Sequence, residues 1–248
     1  MTTDRISARE EDVLLAAATA APSLHNTQPW RFTITGNVID VWADPSRQLR
    51  QVDPAGRELL ISCGAAVLNL RIAAGHLGYE PRVRLLPDLQ NATLLARVAL
   101  AGRTRHAGMV AALYDAIPLR HTNRNPFEDR PIPADACEAL VEAGRLEAAE
   151  LALVTEPSER DRLVELVHLA DLERDLDPAL AQESASWTGV EESRSDGVPG
   201  YALGPLPTNA HAATRDLRRG APVPGREHAR FEQAPVLGVL ATARDDRE

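Results

Sequence analysis

Apolar residues recur three and four positions apart after Ser7-x-x-Glu10, where Val13, Leu14, Ala17 and Ala18 make a single stripe. The Ser/Glu pair is a capping box, so the pattern predicts a helix over 7–20 that Pro22 stops. Residues 31–35 and 38–43 then alternate around Gly36-Asn37, a pair that tolerates the positive φ of tight turns, and read as a β-hairpin. Asp53 is placed to cap, and Pro54 to open, a helix running to about Gly78. Its middle, CGAAVLNLRIAA, is small and apolar nearly all round, as expected of a helix buried against several neighbours. Strands at about 82–86 and 93–100 and a short helix over 108–116 complete a first unit.

A second unit follows the connector PLRHTNRNPFEDRPIP, with a helix at about 134–146, a strand at 150–155 and helical segments from Ser158 to about 182. Residues 183–232 are rich in glycine and proline without a sustained period, and so long an irregular segment in a compact fold is usually functional or disordered. Residues 235–241, PVLGVLA, read as a buried strand. Set side by side, VLLAAATAAPSLHNTQPWRFTIT and ALVEAGRLEAAELALVT are both helix-then-strand, weak copies of each other. The second copy passes straight from helix to strand, without the loop Ala21–Phe32. The repeat divides the chain into units 1–117 and 118–248, with an insertion at about 183–232. A second long buried helix and a strand pair are expected after residue 241, and their absence from the sequence points to a longer fold.

Composition narrows the chemistry. The 248 residues are 44% hydrophobic and 25% charged, ordinary for a globular chain able to bury a core. No apolar run looks long enough to cross a bilayer, and the charged start MTTDRISAREED is unlike a signal peptide, which makes a cytoplasmic address the expectation. A net charge of −9 argues against an extended nucleic-acid surface, so any anion must be held by a local cluster. Cys63 and Cys137 each lie in an apolar-periodic segment and read as reduced core thiols. His25, His76, His106, His121, His168, His211 and His228 show no paired metal-ligand spacing, so no metal is expected. There is no G-x-S-x-G elbow, no G-x-G-x-x-G turn and no G-x-x-x-x-G-K-[ST] loop.

Two stretches carry candidate chemistry. RHTNRNPF, Arg120–Phe127, sets two arginines around a threonine hydroxyl, a group suited to phosphate oxygens; a solvated basic loop pairing with Glu128 and Asp129 is the plainer alternative. In APSLHNTQPWRF, Pro22 and Pro29 fix φ at both ends, so Ser23, Asn26 and Gln28 can be held to meet a flat heteroaromatic ligand. The alternative there is a helix-to-strand connection in which Trp30 plugs the core.

Together, APSLHNTQPWRF resembles the P-S-x-x-N-x-Q-P-W loop of the nitroreductase superfamily, and RHTNRNPF resembles its R-[HR]-[ST]-x-[RK]-x-F motif. The resemblance implies an α+β, nitroreductase-like fold binding FMN. Arg120, His121, Thr122 and Arg124 would hold the phosphate side, and Pro22, Ser23, Asn26 and Gln28 would face the isoalloxazine. The family has the basic motif first, whereas this chain has it second. Two fused units, one keeping the loop and the other the clamp, account for the order, as an intrachain pseudo-dimer with one flavin site. With WTG…DGVPGYALGP, the chain is similar to the Acg-type branch, which implies FMN under a lid formed by the insertion. Leu24 stands where the family has a small hydroxyl residue, and no basic residues matching the family's C-terminal phosphate contacts precede Glu248. The implied activity is electron transfer from NAD(P)H through FMN to a nitro- or quinone-type acceptor. FMN storage without turnover, or a regulatory stress-response partner role, are the rival classes.

Overall fold

A computed structural model describes residues 5–103, 109–209, 212, 214–218 and 223–244. His106 and His211 lie outside these residues. The chain forms two compact units: one runs to Thr122 and also takes in Arg194–Gly197, and the other comprises Asn123–Ser193 and the chain from Val198.

The first unit opens with α1, Ala8–Thr19. Ser7 Oγ accepts from Glu10 N–H at 3.3 Å while Glu10 Oε2 accepts from Ser7 N–H at 2.8 Å, so the capping box satisfies two amides that have no partner inside the helix. Strands β1 (Trp30–Thr35) and β2 (Val38–Ala43) form the hairpin, with Gly36 at φ +64° in the turn. Helix α2 (Arg57–His76) follows, then β3 (Tyr79–Leu85), β4 (Leu94–Arg103) and a 3-10 stretch, Met109–Leu119. The strands make one antiparallel sheet in the order β1-β2-β4-β3. A bulge opposite Val41/Trp42 explains how the consecutive Leu94 and Leu95 are both buried, since the extra residue breaks the alternation of faces. Leu14, Ala17 and Ala18 of α1 meet Leu70, Ala73 and Ala74 of α2 and Ile39, Val41, Ala96 and Val98 of the sheet in the main core.

The start of α2 differs from expectation. The helix begins at Arg57 behind Gly56, whose φ of +73° is left-handed. Asp53 instead reaches forward, its Oδ2 accepting from the Leu59 amide at 2.9 Å, so it still supplies a first-turn amide with an acceptor. Helix α2 is also long and apolar enough, at a mean hydropathy of 1.4, to pass the length and composition test for a membrane span, contrary to the reading that no such run exists. Its buried face, from Leu59 through Cys63, Ala66 and Leu70 to Ala74, lies in the core, which accounts for its composition.

The second unit holds α3 (Ala134–Leu146), β5 (Ala149–Val154), α4 (Pro157–Asp175) and α5 (Pro178–Trp187). Short strands β6 (Thr188–Val190) and β7 (Val198–Pro199) pair in parallel, as do β8 (Leu206–Pro207) and β9 (His228–Ala229). The segment expected to be irregular from 183 therefore begins with the end of α5. Strand β10 (Leu237–Thr242) pairs antiparallel with β5 in a two-stranded sheet. It is not buried as its composition suggested: Val239 and Leu240 are exposed, because a two-stranded sheet that packs α3 against β5 leaves the rest of its surface open. Cys137, on α3, is only half-buried, whereas Cys63 is a core thiol.

Candidate functional site

The loop between α1 and β1 is pinned at both ends. Ala21 and Trp30 bury into one apolar cluster with Leu59, Cys63 and Ala66 of α2 and with Leu95, so Trp30 does plug the core while the residues between are held above it. Cys63 Sγ donates to the Pro29 carbonyl at 3.4 Å, and burial pushes this thiol up to about 12. The Leu24 amide donates to Ser62 Oγ at 3.3 Å, and the Gln28 amide to Ser23 Oγ at 3.0 Å.

Inside these anchors the backbone is bent sharply. His25, Asn26 and Gln28 have φ of 47°, 54° and 49°, so the loop holds most of the five left-handed non-glycine residues among those described. Such conformations cost about 1–3 kcal/mol each and persist where surrounding structure holds them, which is characteristic of ligand loops. The composition of the loop hinted at this; the strain itself was not legible, because glutamine carries no left-handed preference.

The polar side chains of the loop have partners far along the sequence. Asn26 Nδ2 donates to the Gly197 carbonyl at 2.9 Å, and the Gly197 amide returns a bond to the Asn26 carbonyl at 3.1 Å. Gln28 Nε2 donates to the Ser195 carbonyl at 2.6 Å. Arg47 Nη1 reaches both the Thr27 carbonyl at 2.8 Å and Asp196 Oδ2 at 2.9 Å. Asp196 Oδ1 also accepts from Arg194 Nε at 3.0 Å. Burial works against ionisation of Asp196, but hydrogen bonds and attraction from Arg194 and Arg47 outweigh it and hold the carboxyl below its ordinary value. Arg47, Ser195 and Asp196 escaped the sequence reading because no local spacing relates residue 47 to residue 196.

The basic stretch divides between the units, at Thr122 and Asn123. In the first unit, Arg120 Nη2 donates to the Ala20 carbonyl at 3.3 Å, which sets its exposed guanidinium beside the start of the loop. His121 and Thr122 are exposed, and His121 Nδ1 lies 2.9 Å from the Leu119 carbonyl. The structure thus brings Arg120 together with the loop that carries Pro22, Ser23, Asn26 and Gln28. In the second unit, Arg124 is half-buried; burial lowers its pKa, and its Nη1 donates to the Ala202 carbonyl at 2.9 Å. The neighbouring acids have other partners: Glu128 pairs with Arg130 at 3.1 Å, and Asp129 Oδ1 accepts from the Gln233 amide at 2.9 Å. Among the described residues, no group of three or more His, Cys, Asp or Glu could hold a metal ion.

No family model matches the chain. A Mycobacterium tuberculosis protein named as an NAD(P)H nitroreductase is 31% identical over 245 residues, which is 94% of this chain and 67% of the relative. A second protein of that organism, the acg nitroreductase, is 30% identical over 195 residues, covering 77% of this chain and 58% of its own length. Among solved structures, a nitroreductase in complex with FMN from Desulfovibrio desulfuricans is 22% identical. It covers 53% of this chain and 90% of its own, with a TM-score of 0.34. A Parabacteroides distasonis structure named NADH dehydrogenase/NAD(P)H nitroreductase is 18% identical over 53% of this chain and 88% of its own, with a TM-score of 0.35. Such low TM-scores leave the assignment to the sequence relatives. On that identity, over 94% of this chain and 67% of the relative, the chain belongs to the nitroreductase family.

Proposed function

We propose that the chain binds FMN and passes electrons from NAD(P)H to a nitro- or quinone-type acceptor, as a cytoplasmic nitroreductase built from two related units fused as a pseudo-dimer. The observation that carries the reading is the strained, doubly anchored loop Pro22–Pro29 with the Arg120 guanidinium at its start. The donor chemistry fits a flavin mononucleotide in part. Arg120 and Thr122 present cationic and hydroxyl donors of the kind phosphate oxygens take, and Arg124 would complete the clamp that His121 adjoins. Pro22 and Ser23 suit the edge of a flat ring, whereas the side-chain amides of Asn26 and Gln28 already donate to the carbonyls of Gly197 and Ser195 respectively. When bound, FMN supplies hydride acceptance and donation. The chain's own part is to grip the phosphate, orient the ring and keep water out.

Fluorescence titration with FMN tests the reading. Wild type is expected to quench flavin emission saturably, and Arg120→Ala and Arg124→Ala to weaken binding by about tenfold or more each, since each removes charge-assisted bonds to phosphate. A chain that takes up no FMN overturns it. Storage without turnover is the rival reading, in which the insertion would bar substrates from bound FMN. Steady-state NADH or NADPH oxidation with a nitroaromatic or quinone separates the two: FMN retained but not reduced by either nucleotide decides for storage.

A further inference from the structure

We infer that Arg194–Gly197 is an autoinhibitory strap, latched by the Arg47–Asp196 ion pair, that withholds the Asn26 and Gln28 amides from any ligand of the loop. Arg-Ser-Asp-Gly carries no Leu, Ile, Val, Met or aromatic side chain, so its hold on the loop leans on polar contacts. Polar contacts hold it to the loop. Gly197 exchanges two bonds with Asn26, and the Ser195 carbonyl takes Gln28 Nε2. Gly197 has φ +79°, which places its N–H and carbonyl together against Asn26. Neutral bonds such as these contribute little net, because water offers equivalents when the strap lifts. The charged bonds are the stronger members. Arg47 Nη1 spans from Thr27 of the loop to Asp196 of the strap, joining the two segments at one nitrogen, and Arg194 orients the same carboxylate from within the strap. Removing the charge of Asp196 therefore releases the strap without disturbing the core beneath the loop. In this arrangement Asn26 and Gln28 are positioning residues for the strap, and they become available to a ligand only when it opens.

The inference stands on these contacts alone and needs no flavin. Its test is amide hydrogen exchange on the full chain, comparing wild type with Asp196→Asn and Arg47→Met. Asp40→Asn serves as control, since it breaks an ion pair with Arg97 in the same unit but away from the strap. Exchange at the Gly197 amide, whose bond to the Asn26 carbonyl opens with the strap, is expected to rise about three- to tenfold in both latch variants, the range a partly buried ion pair supports, with the Gln28 amide, bonded to Ser23 Oγ within the loop, and the amides of Val67 and Leu70 in α2 unchanged. Asp40→Asn should leave Gly197 at the wild-type rate, and trypsin should cut after Arg194 faster in Asp196→Asn. Wild-type exchange at Gly197 in both latch variants overturns the strap. So does acceleration of the α2 amides by the same factor, which would make the pair a general stabiliser. Because two variants on opposite sides of the latch are compared, failure of one to fold still leaves a decisive answer. Failure of the flavin titration would leave this result intact, and the reverse also holds.

Discussion

Cys63 and Cys137 look alike in the sequence, each set in an apolar period, yet their surroundings part them. Cys63 is sealed beneath the loop, with its thiol pushed up to about 12 by burial, while Cys137 sits half-buried on α3. A thiol reagent added to the native chain at pH 8 should therefore modify Cys137 and leave Cys63 untouched until denaturant is added; mass spectrometry of the labelled peptides reads the difference. Gly204 shows the same dependence on context. With φ +69°, it approaches Arg124 so closely that a Cβ would overlap the Arg124 carbonyl. Gly204→Ala must move that backbone, and it should loosen the turn that accepts the Arg124 guanidinium at Ala202. Faster exchange of the Leu206 amide, bonded to the Glu227 carbonyl at 2.8 Å, is the expected sign. Neither distinction is visible to a local reading, because both depend on atoms distant in sequence.

Elements with a local cause were legible. The capping box places the start of α1, and Ser7→Ala should lower stability by about 1 kcal/mol in a thermal or chemical melt. The hairpin at Gly36-Asn37 follows from turn chemistry, and its register is fixed by the alternation of Phe32 and Ile34 inward with Ile39 and Val41. Leu70 on α2 is fully buried, so Leu70→Ala should cost roughly 2–5 kcal/mol, measured by denaturant unfolding. The start of α2 at Arg57 lies three residues beyond Pro54, since Asp53 reads in the sequence as a neighbouring cap while its carboxylate reaches forward to Leu59. The strap is an element of a different kind, with its stability tied to Asp196. That carboxyl is held below the ordinary aspartate value of 3.8 by Arg194 and Arg47 against the opposing effect of burial. A folded-state value below the unfolded one contributes stability that is present above the unfolded value and lost as pH falls through the folded one. Exchange at Gly197, corrected for its intrinsic pH dependence, should thus be flat from pH 5 upward and rise below pH 4, with Asp196→Asn removing the acid-dependent step.

At the scale of the molecule, α1 to β1 and α3 to β5 are both helix-to-strand passages, and the long connecting loop belongs to the first. Membership of the nitroreductase family makes FMN the ligand to test, and the paired Arg120→Ala and Arg124→Ala titrations are the measurement at this scale. The chain spans about two thirds of the length of the first relative described above, so its activity is best assayed beside a relative of full length. The sequence by itself determined the helix stop at Pro22, the hairpin, the buried character of α2 and the two motifs that led to the family. Each is a matter of residue type and short spacing, and local sterics and hydrophobic periodicity act over that range. Tertiary structure alone decided that Trp30 and Ala21 share one cluster, that Asn26 and Gln28 spend their amides on residues 195–197, and that Arg47 meets Asp196. Those contacts join positions that local spacing cannot relate, and they exist only after burial of the core has brought distant segments to one surface.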